Sequence, residues 1–313
     1  MTDVNVFKSI LSASFLFAVI RVSTPILLAS LGGLVADLAG VTNIALEGIM
    51  LSAALMGVAG SAFTQSAFFG LLFGVLAGVV LSILLAYFRL HLGADGTLTG
   101  LAINMLAAGG TVFILFSITR DKAFSTGLQS ISLPNLKLPL ISSIPFIGEA
   151  LSGHNVMTYI AFLLVPLVGS LLYRTRFGIH LRGVGENPRA AAAVGIDVVR
   201  TQYYALILSG VLAALGGINL SMGYLSLFVK DMTAGRGFIA LAAVYLGGRT
   251  PAGVMYASLL FGLADALANQ LGSLNIPPQV VLAIPYVVTV VALVVHNVRV
   301  ENARVARRNQ AAA

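Results

Sequence analysis

Phe69 to Tyr87 and Val280 to Val295 each run without a charged residue, and runs of this kind recur along the whole chain. About twenty residues of helix, at about 1.5 Å each, cross the hydrocarbon core of a bilayer, where every backbone N–H and C=O must be satisfied internally. The runs are continuously apolar rather than alternating, which excludes a transmembrane β-barrel. The chain therefore reads as an all-α polytopic bundle with about eight to ten membrane segments, half-helices included. Residues 1–313 form a single transmembrane domain, since with 58% hydrophobic and 9% charged residues no stretch is polar enough for a separate soluble one.

Apolar segments fall at approximately 9–20, 22–38, 43–63, 67–88, 97–118, 156–173, 201–222, 237–247, 252–271 and 279–297. The first two read as one long kinked helix or as two crossings, because Pro25 interrupts the backbone ladder and Arg21 lies within the run. The 237–247 piece is too short to span and reads as a half-helix. Residues 1–20 carry no small-residue cleavage site before apolar sequence resumes, so a cleaved signal peptide is not expected.

The net charge of +7 would suggest nucleic acid in a soluble chain. Here the basic residues collect in short segments between apolar ones, which is a topology signal. Five arginines lie between Arg174 and Arg200, and four more follow Val298. Both segments, the loop 174–200 and the tail 298–313, are predicted to be cytoplasmic, and counting crossings between them gives the same answer. The count places 119–155, with Pro134, Pro139 and Pro145, on the outside as a folded loop. Gly70, Gly74 and Gly78 repeat every four residues and read as a close-packing stripe.

Hydrolytic chemistry has little to draw on. There is no cysteine, His91, His154, His180 and His296 are scattered, and no HExxH, GxSxG or GxxxxGK[ST] sequence occurs. No metal or cofactor site is expected in this chain, and any ATP that drives it must be bound by another. The polar residues inside apolar spans are the sharper signal, because an ionisable group there is costly. They include Arg21, Asp37, Glu47 and Asp265, with Lys230, Asp231 and Arg236 near a span end. Asn43 and Glu47 are four apart and share a helical face; they either face a polar pathway or brace the bundle. Asn104 is open to the same two readings. Asp265, Asn269 and Gln270 read as vestibule lining or packing.

The segment Arg174 to Ile196 carries the most specific local pattern. Asn187 suits an N-cap, Pro188 the first helical position, Ala190, Ala191, Ala192 and Ala193 the helix body, and Gly195 its stop. A short capped helix over 187–195, slim enough to enter a groove on another protein, is predicted. Arg182 and Arg189 are placed to pair with acidic groups there.

Arg189-Ala190-Ala191-Ala192-Ala193-Val194-Gly195-Ile196, preceded by Gly185-Glu186-Asn187-Pro188, resembles the coupling-helix segment of ABC importer permeases for simple sugars, nucleosides and branched-chain amino acids. Gly40-Val41-Thr42-Asn43-Ile44-Ala45-Leu46-Glu47-Gly48 resembles the family's early signature helix, and Thr233 to Ala242 its second-half counterpart. Pro285-Tyr286 fits the last span. The resemblance covers about residues 22–297 and is nearest the nucleoside or simple-sugar branch, served by a basic-membrane-protein-type lipoprotein. Ala45 stands where many relatives have Gly.

The resemblance implies a bacterial cytoplasmic-membrane permease with its C-terminus inside. A partner ATPase would dock on the 187–195 helix, and a second permease, related or identical, would complete the pore. An external binding protein would deliver a nucleoside or simple sugar to the 119–155 side. Asn43, Glu47, Asn104 and Phe238 are then the candidates for the translocation path. Ribose or a branched-chain amino acid in the same machine is the first alternative. An ion-driven carrier, which would leave the capped helix without purpose, is the second, and an intramembrane enzyme the third.

Overall fold

The computed structural model describes residues 12–137 and 147–271, together with position 294. The span predicted at 279–297 with Pro285-Tyr286, the basic tail and part of the 119–155 loop lie outside the described residues. Within them every regular element is helical: α1 (Ala13–Leu38), α2 (Leu46–Thr64), α3 (Ala67–Leu90), α4 (Gly96–Thr119), α5 (Ile147–Leu151), α6 (Val156–Arg174), α7 (Arg176–Glu186), α8 (Pro188–Ala193) and α9 (Val198–Ile218). A π-helical turn over Asn219–Leu225 continues α9, followed by α10 (Arg236–Leu246) and α11 (Pro251–Leu271). Seven of these segments are long and apolar enough to cross a membrane, and α10 is a shorter apolar helix. The chain is a multi-pass membrane protein.

The stretch 9–38 resolves as one helix from Ala13, with Ser12 capping it and Pro25 inside it. α1 is the central post of the bundle. Every residue from Val22 to Asp37 is buried, and it packs on α9, α10 and α11. Around it, close backbone approach does what side chains cannot. A Cβ at Gly74 would lie 2.7 Å from Ile218 and 2.8 Å from the Ala53 carbonyl oxygen, and one at Gly78 would lie 2.6 Å from Ala214. The predicted glycine stripe is thus the seam where α3 meets α2 and α9. In lipid, where association relies on contact rather than on the exclusion of water, such seams carry much of the packing.

Two ends can be told apart. At one, the α1 terminus, the 39–45 segment, α7 and the start of α9 meet: the Gln202 amide donates to the Ala39 carbonyl oxygen at 3.2 Å, and Arg89 donates to the Thr42 carbonyl oxygen at 2.9 Å. At the other, the 119–137 loop meets the π turn and the segment after it, with Leu133 N donating to the Met222 carbonyl at 3.0 Å and Lys230 N to the Ala123 carbonyl at 2.8 Å. The 39–45 segment does not stay at its own end. Leu46 packs within reach of Gly33, five residues back along α1, so the chain turns inward before α2 begins.

Candidate functional site

Glu47 lies in the first turn of α2 and its carboxylate bonds the start of α10. The Gly235 N–H donates to Oε1 at 2.8 Å and the Gly237 N–H to Oε2 at 2.7 Å. The N-terminus of α10 therefore converges on one anion, and its N–H groups and dipole offset the charge, with the dipole of α2 adding to them because Glu47 lies in that helix's first turn. A Cβ on Gly237 would sit 2.5 Å from Glu47 Cα, so only glycine permits this approach.

The backbone leading into α10 is irregular. Ser226, Asp231, Ala234 and Gly235 all have positive φ, at 58°, 54°, 45° and 79°. Irregular backbone at membrane depth persists only where protein or a wet cavity satisfies it, and backbone strain of this kind gathers at functional sites. The 226–246 stretch is thus an irregular limb followed by a short apolar helix, the half-helix expected at 237–247.

Asn104 and Asn43 hold the other side of the junction. Asn104 Oδ1 accepts from the Gly48 N–H at 2.8 Å, and its amide donates to the Ile44 carbonyl at 2.9 Å. Asn43, fully buried, donates to Ser209 Oγ at 2.9 Å and accepts from the Ala45 N–H at 3.0 Å. Phe238 is different in kind. It is 43% exposed, as Tyr245 is at 46%, and seven residues put the two on one face. Ile239, Ala240, Ala243 and Val244 bury the opposite face. The structure thus brings Glu47, Asn104 and Phe238 to the start of α10, with Asn43 buried behind.

Beneath this junction Asp37 closes the other end of α10. Arg249 Nε lies 2.6 Å from Asp37 Oδ2, and Tyr245 and Thr42 donate to Oδ1 at 3.1 and 3.2 Å. Arg236 pairs with Asp265 at 2.9 Å, so two of the intramembrane carboxylates noted in the sequence are neutralised by arginines and the third by helix ends.

The capped helix lies at the end holding the arginines. Asn187 Oδ1 accepts from the Ala190 N–H at 3.0 Å, Pro188 begins α8 and Gly195 has φ +84°. Ala191 is buried, while Arg189, Ala190, Ala192, Ala193 and Val194 are exposed. The helical body ends at Ala193, two residues short of the predicted limit. Arg182 points back into the chain rather than outward: it donates to the Leu172 carbonyl at 3.2 Å and its guanidinium sits 4.8 Å over Tyr173.

Sequence reasoning missed α7. Its signals are local, with Thr175 Oγ1 accepting from the Gly178 N–H at 3.1 Å and Gly178, Leu181 and Val184 on a buried face. The α7 end presses on the end of α1, since a Cβ at Gly185 would collide with the Leu38 carbonyl.

The family model described as branched-chain amino acid transport system / permease component matches residues 15–293. The chain is 33% identical to the nucleoside ABC transporter permease protein NupC of Lactococcus lactis subsp. cremoris, over 94% of this chain and 93% of that one. It is 32% identical to the guanosine ABC transporter permease protein NupQ of Bacillus subtilis, with the same shares. A relative in Haloferax volcanii named for glucose, TsgC13, is 31% identical over 94% of this chain and 95% of its own. A metal-chelate type ABC transporter solved in an inward-facing conformation shares the fold, with a TM-score of 0.52, 17% identity and coverage of 93% and 88%.

Proposed function

The chain belongs to the branched-chain amino acid transport system / permease component family, and from that premise we propose how this permease subunit of an ABC importer works and what it carries. The substrate is a nucleoside. The reading rests on likeness over nearly the whole chain to permeases named for nucleosides and guanosine; the relative named for glucose supports a simple sugar as the second reading.

The observation that carries the mechanism is the exposed, capped α8 seated on α7. A partner chain binds and hydrolyses ATP, and its ATPase domain takes α8 into a groove. The four exposed positions Arg189, Ala190, Ala192 and Ala193 make that contact, with Asn187, Pro188 and Gly195 fixing the helix ends. This chain itself binds no cofactor. Because α7 abuts the α1 terminus through Gly185, displacement of α8 is passed to the central post of the bundle and so to the 39–45 segment and α10.

A second permease faces this one, and the path runs between them. Phe238 and Tyr245 line it directly. Asn43, Glu47 and Asn104 border it from behind by fixing the level at which α10 starts. The arginines of 174–200 support a topology with α8 and the C-terminus in the cytoplasm, by the positive-inside rule, and with the 119–155 loop outside, where a binding protein delivers solute. The host bilayer is a bacterial cytoplasmic membrane.

The test is uptake by the complete transporter reconstituted with its ATPase and binding protein. Radiolabelled uridine accumulates only with internal ATP and continues in the presence of an uncoupler. Uptake that collapses with the uncoupler and ignores ATP overturns the mechanism, and ATP-driven uptake of glucose without uridine overturns the substrate.

A further inference from the structure

Arg21 lies eight residues into α1, about 12 Å along its axis, and no carboxylate lies within ion-pair distance of it among the described residues. An arginine within an apolar span is costly and functional by default. Its guanidinium sits 4.4 Å over the ring of Tyr224 and donates to the Tyr224 hydroxyl at 3.4 Å. Both side chains are exposed, and they meet at the mouth of an open cleft between α1, the π turn and α11.

The π turn shapes that cleft. Residues five apart on an α-helix diverge by about 140°, whereas i→i+5 bonding brings them to one side. Asn219 and Tyr224 are five apart within Asn219–Leu225 and both line the cleft. π turns are rare, and where they occur they frequently mark functional sites. Asn269 adds a further amide, and Arg236, held by Asp265, lines the smaller chamber. The main cavity, about 370 Å³, is lined by Arg21, Tyr224 and Asn269, and an adjoining chamber of about 110 Å³ shares these three and alone reaches Asn219 and Arg236. That volume lies in the range of small-molecule sites.

We infer that this cleft is a low-affinity resting site for an uncharged nucleoside, its base stacked against the Tyr224–Arg21 pair and its carbonyls and hydroxyls met by Arg21, Asn219 and Asn269. The inference rests on the functional reading above. The chemistry selects against cations, because among the described lining residues the charge without a carboxylate partner, Arg21, is positive. It favours a flat, acceptor-rich ring, because a guanidinium and a phenol ring together offer stacking surface and directed N–H donors.

The chain has no cysteine, so a single one reports on the cleft. Ala18→Cys places a thiol on its wall without removing a proposed contact. The full-length variant in lipid nanodiscs is treated with a soluble maleimide, with and without millimolar uridine. Uridine slows labelling at least threefold, and Arg21→Ala or Tyr224→Leu in the same background abolishes the protection while the protein stays monodisperse. Labelling indifferent to uridine, protection that survives both substitutions, or a thiol that does not react overturns the assignment. So does protection by glucose or inorganic phosphate in place of uridine. ATP-driven uridine uptake by the complete transporter separates the two readings: uptake without protection removes the cleft and leaves the function, and protection without uptake does the reverse.

Discussion

The N–H of Gly237 donates to the carboxylate of Glu47 across 190 residues of sequence, at 2.7 Å, and a side chain at Gly237 would collide with the Glu47 backbone. One acid and one glycine thereby fix where the short helix α10 begins against the start of α2.

Replacing Glu47 by Ala leaves the Gly235 and Gly237 N–H groups unpaired, at about 1–3 kcal/mol each. Glu47→Gln keeps one acceptor oxygen and loses less. Gly237→Ala forces the α2 and α10 backbones apart. Thermal unfolding of the purified chain should rank the variants wild type, then Glu47→Gln, then Glu47→Ala. Gly237→Ala should lose transport at normal protein level. An unchanged melting temperature for Glu47→Ala would show that this junction does not hold α10.

At the opposite end of α10, Asp37 is nearly buried while Arg249 is half exposed. Breaking a buried pair costs about 3–5 kcal/mol, but water can reach Arg249. Arg249→Ala should therefore cost less, about 1–3 kcal/mol. A double-mutant cycle with Asp37→Ala should give a coupling above about 0.5 kcal/mol, as for residues in one network. Additive effects would mean the pair is incidental.

His154 is buried, stacked on Phe17 at 3.9 Å between centroids, with Nε2 2.9 Å from the Ala150 carbonyl oxygen. Burial, reinforced by the charge of Arg21 and opposed by the bond to Ala150, lowers its pKa below the ordinary 6.5. The unfolded chain thus binds this proton at higher pH than the folded one. Stability from this group is intact above about pH 6.5 and falls as pH drops below it. Melting temperatures at pH 7.5 and pH 5 should differ more for wild type than for His154→Phe; equal differences would remove His154 as the cause.

The side chain of Asn187 supplies one cap bond to α8, worth about 1 kcal/mol. Asn187→Ala should weaken ATPase coupling without unfolding the bundle, because α8 packs chiefly through Ala191. Uptake rate at saturating solute should fall while the melting temperature of the chain holds. A large drop in melting temperature would place α8 in the structural core.

How much of this was legible depended on range. Asn187-Pro188 and Gly195 announced α8 because caps act over three or four residues. The stripe Gly70, Gly74 and Gly78 announced a seam because its period is that of the helix. The bonds that give Glu47, Asn104 and Asn43 their partners cross 188, 56 and 166 positions, and no local pattern carries them; the sequence could show only that these polar groups needed partners. Arg182 was misplaced for the same reason, since Tyr173 lies beyond its own helix. The π turn was invisible, because Asn219 to Leu225 continues an apolar run whose winding is set by neighbours.

Whether α8 delivers the work of ATP hydrolysis to this bundle is decided by what the chain holds on to. The detergent-solubilised wild type and Ala192→Glu, an exposed position that leaves Ala191 packed, are pulled down in parallel and the copurifying chains identified by mass spectrometry. Wild type should bring down an ATPase and a permease, and Ala192→Glu should lose the ATPase alone. Wild-type chain that transports solute in vesicles yet retains no ATPase would contradict that role of α8.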